Sequence, residues 1–449
     1  MKDFEIREFT DTQEVNALEY FKEQENTDRW VRVYTNEMET APLENCRLKL
    51  LEKDAFSYTS RNGINIPYFS KDVNEDDITS SMENSKLSLV FPDQDQMQMY
   101  PIRYTAFGHI QDRAGITGSS ISSLKERKRA YEIAPEKRSK MLNEGLKLYT
   151  DRSLILIRDG KATAILSGDE SDYCIMPIPE ILAVMKEELK QYQFSFLKAA
   201  TSHEISLFEY RIYNPNIESQ IRNELMMTED NEITLKLVLT SSDVGKCSVQ
   251  LRPDVEINHV PVPIGRTLST THKGKNAMEV FQENCKKFLA RYNMNLEYIK
   301  KMNSICINKP ASCMKNLYES LKLAGYSSAF KEVLKKIEQE HVSSCSAFDI
   351  YYYFCSMLSI EQEIRKERFH CMIQPKPKIL YLSCCSSTFL LSTIKNLTGY
   401  ISSVPSFFIG SFLYHLTNFL LPELLPHSFL QMKISVRNIT ALVFRLQAS

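Results

Sequence analysis

The spacing of apolar and polar residues changes period several times along the chain, and those changes mark out its elements. Trp30-Val31-Arg32-Val33-Tyr34 and Leu87-Ser88-Leu89-Val90-Phe91 read as short strands, while the acidic, Ser-rich residues 72–83 read as a loop. From residue 106 the period lengthens, with Ala106, Phe107, Ile110 and Ala114 on one side of a helix. Gly115 stands where a helix end takes up the left-handed conformation. Thr117, Ser119 and Ser120 can cap a second helix carrying Ile121 and Leu124. Pro135 suits the first turn of a further helix, with Met141, Leu142, Gly145, Leu148 and Tyr149 on one face. Two apolar runs, 154–158 and 161–166, then flank Asp159-Gly160. That dipeptide predicts a two-residue β-hairpin, because a type I′ turn needs positive φ at both central positions. The first run does not alternate, which predicts a strand covered on both faces.

Beyond the hairpin, Ile181, Leu182, Met185 and Leu189 predict a helix from Pro179 to about Tyr192. Residues 207–213 and 233–239 predict strands, the second half-buried by its clean alternation. Residues 241–245 turn the chain into a returning strand. Residues 255–264 are extended, and Pro261 and Pro263 place them at a sheet edge. Residues 276–302 form the longest predicted helix, with Met278, Phe281, Cys285, Phe288, Tyr292, Leu296 and Ile299 on one face. Three more follow: one around Leu317 stopped by Gly325, one around Val333, and one over 347–369. The pattern as a whole predicts an α+β fold with a mixed or antiparallel sheet core and packed helices, followed by a C-terminal helical segment. The expected divisions are a β-rich N-terminal region (1–100), a central α+β domain (101–275), a helical region (276–369) and an atypical hydrophobic tail (370–449).

Composition adds limits rather than identity. Charged residues at 25% and hydrophobic ones at 43% are ordinary for a globular protein, and 449 residues suffice for two or three domains. A net charge of −1 excludes coating nucleic acid by bulk charge, so any such binding needs a local basic patch. Eleven scattered cysteines without a CxxC pair give neither zinc spacing nor a disulfide framework. With no apolar segment after Met1, reduced thiols in a cytoplasm are expected. No metal, cofactor or catalytic residue is implied. His109, His203, His259 and His272 are dispersed, and each reads as structural or exposed.

The chemistry that does stand out is basic. Between residues 125 and 147 Lys125, Arg127, Lys128, Arg129, Lys137, Arg138, Lys140 and Lys147 outnumber four glutamates. The preceding run, 114–124, has the layout of a DNA-binding helix-turn-helix, a layout that two core-packing helices share. A basic helix face can contact phosphates and is equally an ordinary solvated face. Arg158 and Lys161 flank the hairpin turn. Lys273 and Lys275 sit in His272-Lys273-Gly274-Lys275, which fails as a P-loop because Ser269 stands where the first Gly is required. As a loop opening a helix it can still bind an anion. The aromatic run Tyr351-Tyr352-Tyr353-Phe354 reads as core rather than as a base-stacking platform.

The tail differs. Residues 396–422 carry no charge and are long enough to cross a bilayer. A membrane anchor, a partner-binding helical pair and an out-of-frame coding end are the three readings. The absence of periodicity favours the last, and membrane attachment follows only if the 396–422 segment is genuine.

Taken in order, residues 106–124, the hairpin 154–167, Thr240-Ser241-Ser242-Asp243-Val244-Gly245, His272-Lys273-Gly274-Lys275 and Ala347-Phe348-Asp349-Ile350-Tyr351 resemble the bacterial phage- and plasmid-like family called domain of unknown function 932, over about residues 100–369. The resemblance implies a mobile-element or prophage setting and carries over no catalytic residues. The expected function is a nucleic-acid-binding accessory of mobile-element DNA metabolism, acting on single-stranded or double-stranded DNA, in a chain able to form a homo-oligomer. Its expected contacts are Lys125, Arg127, Lys128, Arg129, Lys137, Arg138, Arg158, Lys161, Lys273 and Lys275. The alternative is a non-enzymatic protein-interaction or structural protein of the same setting.

Overall fold

Chain order in the computed structural model begins with β1 (Arg7–Phe9) and α1 (Glu14–Thr27), then β2 (Arg29–Tyr34), β3 (Glu39–Pro42), β4 (Tyr58–Thr59) and β5 (Asn65–Ile66). Next come α2 (Glu75–Glu83), β6 (Leu87–Asp93), β7 (Gln96–Pro101), α3 (Tyr104–Arg113), α4 (Pro135–Leu146), β8 (Arg152–Arg158) and β9 (Lys161–Ser167). The remainder runs α5 (Ile178–Leu189), β10 (Phe194–Thr201), β11 (Ser206–Ile212), α6 (Pro215–Glu224), β12 (Ile233–Ser241), β13 (Val249–Ile257), β14 (Val260–Pro263), β15 (Leu268–Thr270), α7 (Ala277–Asn303), β16 (Cys306–Asn308), α8 (Pro310–Ser320), α9 (Ser327–Glu340), β17 (Ser344–Ser346) and α10 (Ala347–Cys371). The structure describes residues 5–43, 58–66, 69–83, 85–116, 135–169, 171–264, 267–320, 327–341 and 343–371. The fold is α+β, with antiparallel ladders, packed helices and C-terminal helices.

The hairpin forms as its turn chemistry requires. Asp159 and Gly160 both have positive φ, 50° and 65°. A side chain at Gly160 would collide with the Asp72 carbonyl and the Asp77 carboxylate. β8 is buried along nearly its whole length, as its unbroken apolar run predicts. One face packs, through Ile155 and Ile157, into a core with α3, β6 and β7, and the other carries Leu156. β2 completes a three-stranded sheet, β2-β8-β9, beside the sheet β3-β6-β7. One expectation fails here: residues 75–83 form a helix rather than a loop. Glu75, Asp76 and Asp77 lie in its first turn, where carboxylates favour a helix start, and Ile78 supplies a buried anchor.

The second core is built on seven strands, β1-β10-β11-β12-β13-β14 in spatial order, with β15 against the other end of β13. β14 is an edge, as its two prolines predict, and is joined to β13 through Asn258 and His259, both at positive φ. Leu235, Leu237 and Leu239 of β12 face a helical layer that includes Phe281, Phe288 and Tyr292 of α7. α8, α9 and α10 enclose a smaller cluster, in which the rings of Tyr318 and Phe330 stack at 3.9 Å.

Topology across these cores is that of an insertion. β1 pairs with β10, and α1 packs on α5 and β10. Residues 5–27 therefore belong to the seven-stranded host. The chain leaves the host at Asp28, builds the smaller unit over about residues 29–168, and returns before α5. The expected division near residue 100 falls inside the smaller unit, at the end of β7, and that near 275 falls between β15 and α7.

Candidate functional site

The cations that flank the hairpin turn are turned inward. Arg158 Nε donates to Asp28 Oδ1 at 2.8 Å, and its Nη2 bonds both Asp28 Oδ2 and, at 2.9 Å, Asp243 Oδ2. Side-chain exposure is 5% for Arg158, 8% for Asp28 and 16% for Asp243, so this junction is removed from water. Lys161 is equally buried, with Asp77 Oδ1 at 3.7 Å. Arg158 holds its proton more tightly than usual: burial works against its charge, and the Asp28 and Asp243 carboxylates overcome it. Asp28 goes the other way. Burial raises its pKa, and the neighbouring Asp243 and Asp159 add to the rise against the pull of Arg158. Two carboxylates share one guanidinium, so the junction carries surplus negative charge.

Beside the junction lies a stacked ring pair. His272 and Tyr173 are parallel to within 4°, with centroids 5.2 Å apart. The Tyr173 hydroxyl donates to the Asp243 carbonyl at 3.0 Å. His272 Nδ1 is 3.3 Å from the Cys174 carbonyl, while its buried Nε2 meets no hydrogen-bond partner. Burial lowers the His272 pKa, partly opposed by Asp243, and keeps the ring neutral. The Cys247 thiol is pushed up to about 12 by burial and by Asp243, which removes it as a nucleophile. These residues sit where the two units meet. Across that meeting Leu156, Ala164 and Val244 form a small apolar cluster flanked by Trp30 and Leu166.

The other basic candidates divide by exposure. On α4 the core side takes Arg138, whose Nη1 donates to the Ser85 carbonyl at 3.4 Å. Lys137 and Lys140 face solvent, and Lys147 pairs with Glu144 at 2.8 Å. The same outer surface exposes Met141, Leu148 and Tyr149. Tyr149 lies against Gly115, whose φ of +69° ends α3 as predicted and whose missing Cβ leaves room for the ring. Lys273 and Lys275 are exposed on either side of Gly274, just before α7. Lys125, Arg127, Lys128 and Arg129, the second helix of the helix-turn-helix pattern and the 396–422 segment lie outside the described residues.

The outer face of the large sheet is closed by its own charges. Lys198 pairs with Glu209 at 3.0 Å, Glu209 with Lys236 at 3.2 Å, and Lys236 with Glu256. This ladder crosses β10, β11, β12 and β13. Burial would lower the Lys236 pKa, but Glu209 and Glu256 raise it, so the lysine stays charged. The two lysines of the ladder are therefore neutralised by its two glutamates and lend the face no net positive charge.

Of the dispersed histidines, His109 Nδ1 lies 3.4 Å from the Ile165 amide, His203 is buried and His259 is exposed beside Glu232. Tyr351, Tyr353 and Phe354 are core residues, and the Tyr351 hydroxyl donates to the Pro263 carbonyl at 2.6 Å. Among the described residues no group of three or more His, Cys, Asp or Glu side chains is arranged to hold a metal ion, and no helix is long and apolar enough to cross a membrane. Sequence reading missed the junction because Asp28 and Asp243 lie 130 and 85 residues from Arg158, and no local pattern links them. Comparison with protein-family models, curated proteins and solved structures gave no match.

Proposed function

We propose that this chain is a non-enzymatic nucleic-acid-binding accessory of phage or plasmid DNA metabolism, acting on single-stranded DNA. The observation that supports this reading is the division of charge on α4. Arg138 turns into the core while Lys137 and Lys140 remain at the surface, in sequence continuity with Lys125, Arg127, Lys128 and Arg129. Exposed Tyr149 adds a ring of the kind on which unpaired bases stack. Arg138, Arg158 and Lys161 leave the proposed footprint, because each is buried on backbone or carboxylate partners. Lys273 and Lys275 stay in it as an exposed pair before α7.

The test is binding of the full chain to labelled single- and double-stranded DNA across a salt series. Phosphate contacts make affinity fall steeply with salt. The double variant Lys137→Glu, Lys140→Glu is expected to weaken binding and to reduce the logarithmic salt slope by about 1 for each phosphate that the protein no longer neutralises. Absence of binding at low salt refutes the reading. It would favour the protein-interaction alternative, which the exposed apolar Met141 and Leu148 on the same face support.

A further inference from the structure

The short connection between α4 and β8 is exposed yet firmly held. Residues 147–150 face solvent, with Leu148 79% and Tyr149 41% exposed. Backbone bonds from the Leu148 amide to Gly145 and from the Tyr149 amide to Leu146 close the end of α4. Arg113 fixes the residues that follow. Its Nε donates to Ser153 Oγ at 3.0 Å, and its Nη2 donates to the Arg152 carbonyl at 2.8 Å, to Thr35 Oγ1 at 2.9 Å and to Asp151. The tip of the Tyr149 ring lies against Gly115, where a Cβ would strike its hydroxyl. An exposed ring on so fixed a backbone can meet a ligand without first being ordered.

A second ring belongs to the same corner. Tyr34 is opposite Arg152 in the β2–β8 ladder and is 46% exposed. The Arg152 guanidinium lies over that ring, 5.3 Å from its centroid. The Thr35 amide donates to the Asp151 carbonyl at 2.9 Å, so the two tyrosines flank one backbone hydrogen bond. Exposed Lys137, Lys140 and Lys147 lead to the corner along one stripe of α4. The carboxylates nearby are engaged: Glu144 by Lys147, Asp151 by Arg113, and Glu37 by the Tyr34 amide. Glu136 lies about 100° round the helix from Lys137, off the stripe.

We propose that this corner is a base-stacking platform for single-stranded nucleic acid. One unpaired base lies on Tyr149, a neighbouring base lies on the Tyr34–Arg152 pair, and the α4 lysines hold the phosphates that lead to them. Resting on the nucleic-acid reading, the platform supplies the source of strand preference. Bases inside a duplex have both faces covered by their neighbours, so the rings act on unpaired strands alone. The lysines act on either form.

Titration of the full chain with labelled oligo(dT) and with a duplex of equal length, across a salt series, tests it. Tyr149→Leu keeps apolar bulk but removes the ring. It is expected to weaken single-strand binding about tenfold, with duplex affinity and the logarithmic salt slope unchanged. Tyr149→Phe, which returns the ring, is expected to restore binding. Tyr34→Leu is expected to act like Tyr149→Leu and serves where that variant does not fold. Single-strand affinity unchanged in both leucine variants, or lost equally for the duplex, overturns the platform and leaves the nucleic-acid reading standing. Failure of the unmodified chain to bind either form overturns both.

Discussion

The molecule contains two ionic clusters of different design, one where the two units meet and one on the outer face of the large sheet. At that junction a single guanidinium serves two carboxylates in a site nearly closed to water. On the sheet two lysines and two glutamates alternate across four strands, with Lys198 about half exposed and Lys236 covered. The ladder is balanced, and Lys198 at its exposed end is the member that solvent most readily replaces. The junction carries surplus negative charge, and removal of its one cation leaves two desolvated carboxylates facing each other. Charge balance, together with the accessibility of water, decides how much each member matters.

Substitutions test that contrast in stages. Arg158→Met is expected to have the largest effect, about 3–5 kcal/mol of unfolding free energy in denaturant titration, because it strands buried carboxylates. Lys236→Met is expected to cost less, about 1–3 kcal/mol, since Glu209 keeps its pair with Lys198 and Glu256 is more open to water than the junction carboxylates. Equal losses for the two would mean that burial does not separate the clusters. The smallest effect is pH-dependent. His272 is held below its ordinary value of 6.5 by burial, so its contribution is present above pH 6.5 and is lost as pH falls through the folded value. Stability of the unmodified protein should therefore decline on that side of neutrality, and His272→Asn should abolish this part of the decline. Asp28 works in the opposite sense. Its pKa is raised, so its contribution is present at acid pH and lost as pH rises through its folded value. Asp28→Asn measured beside His272→Asn separates the two slopes.

Local sequence was sufficient wherever the information is local. Asp159-Gly160 specified a turn that needs positive φ at both positions. The unbroken run 154–157 specified a strand buried on both faces, and the 3.6-residue stripe of Phe281, Phe288 and Tyr292 specified the long helix of the host core. Pro261 and Pro263 placed their strand at an edge. Residues 72–83 misled because their polar composition resembles a loop, while the carboxylates at 75–77 and buried Ile78 make a helix start.

The α+β class, most of the longer elements and the sharpest turns were legible in the chain itself, since these follow from periodicity and from backbone φ preferences that each residue carries with it. Which cations are surface groups and which are structural was settled by folding. Lys137 and Arg138 are adjacent in the chain, yet one meets solvent and the other the Ser85 carbonyl, because successive helical residues point about 100° apart. Arg158 and Lys161 have the look of a basic hairpin tip until Asp28, Asp243 and Asp77 arrive from distant segments. The insertion was hidden for the same reason. The pairing of β1 with β10 joins residues 7–9 to residues 199–201, and such a long-range ladder is chosen by the burial of a whole sheet rather than by anything either strand carries locally.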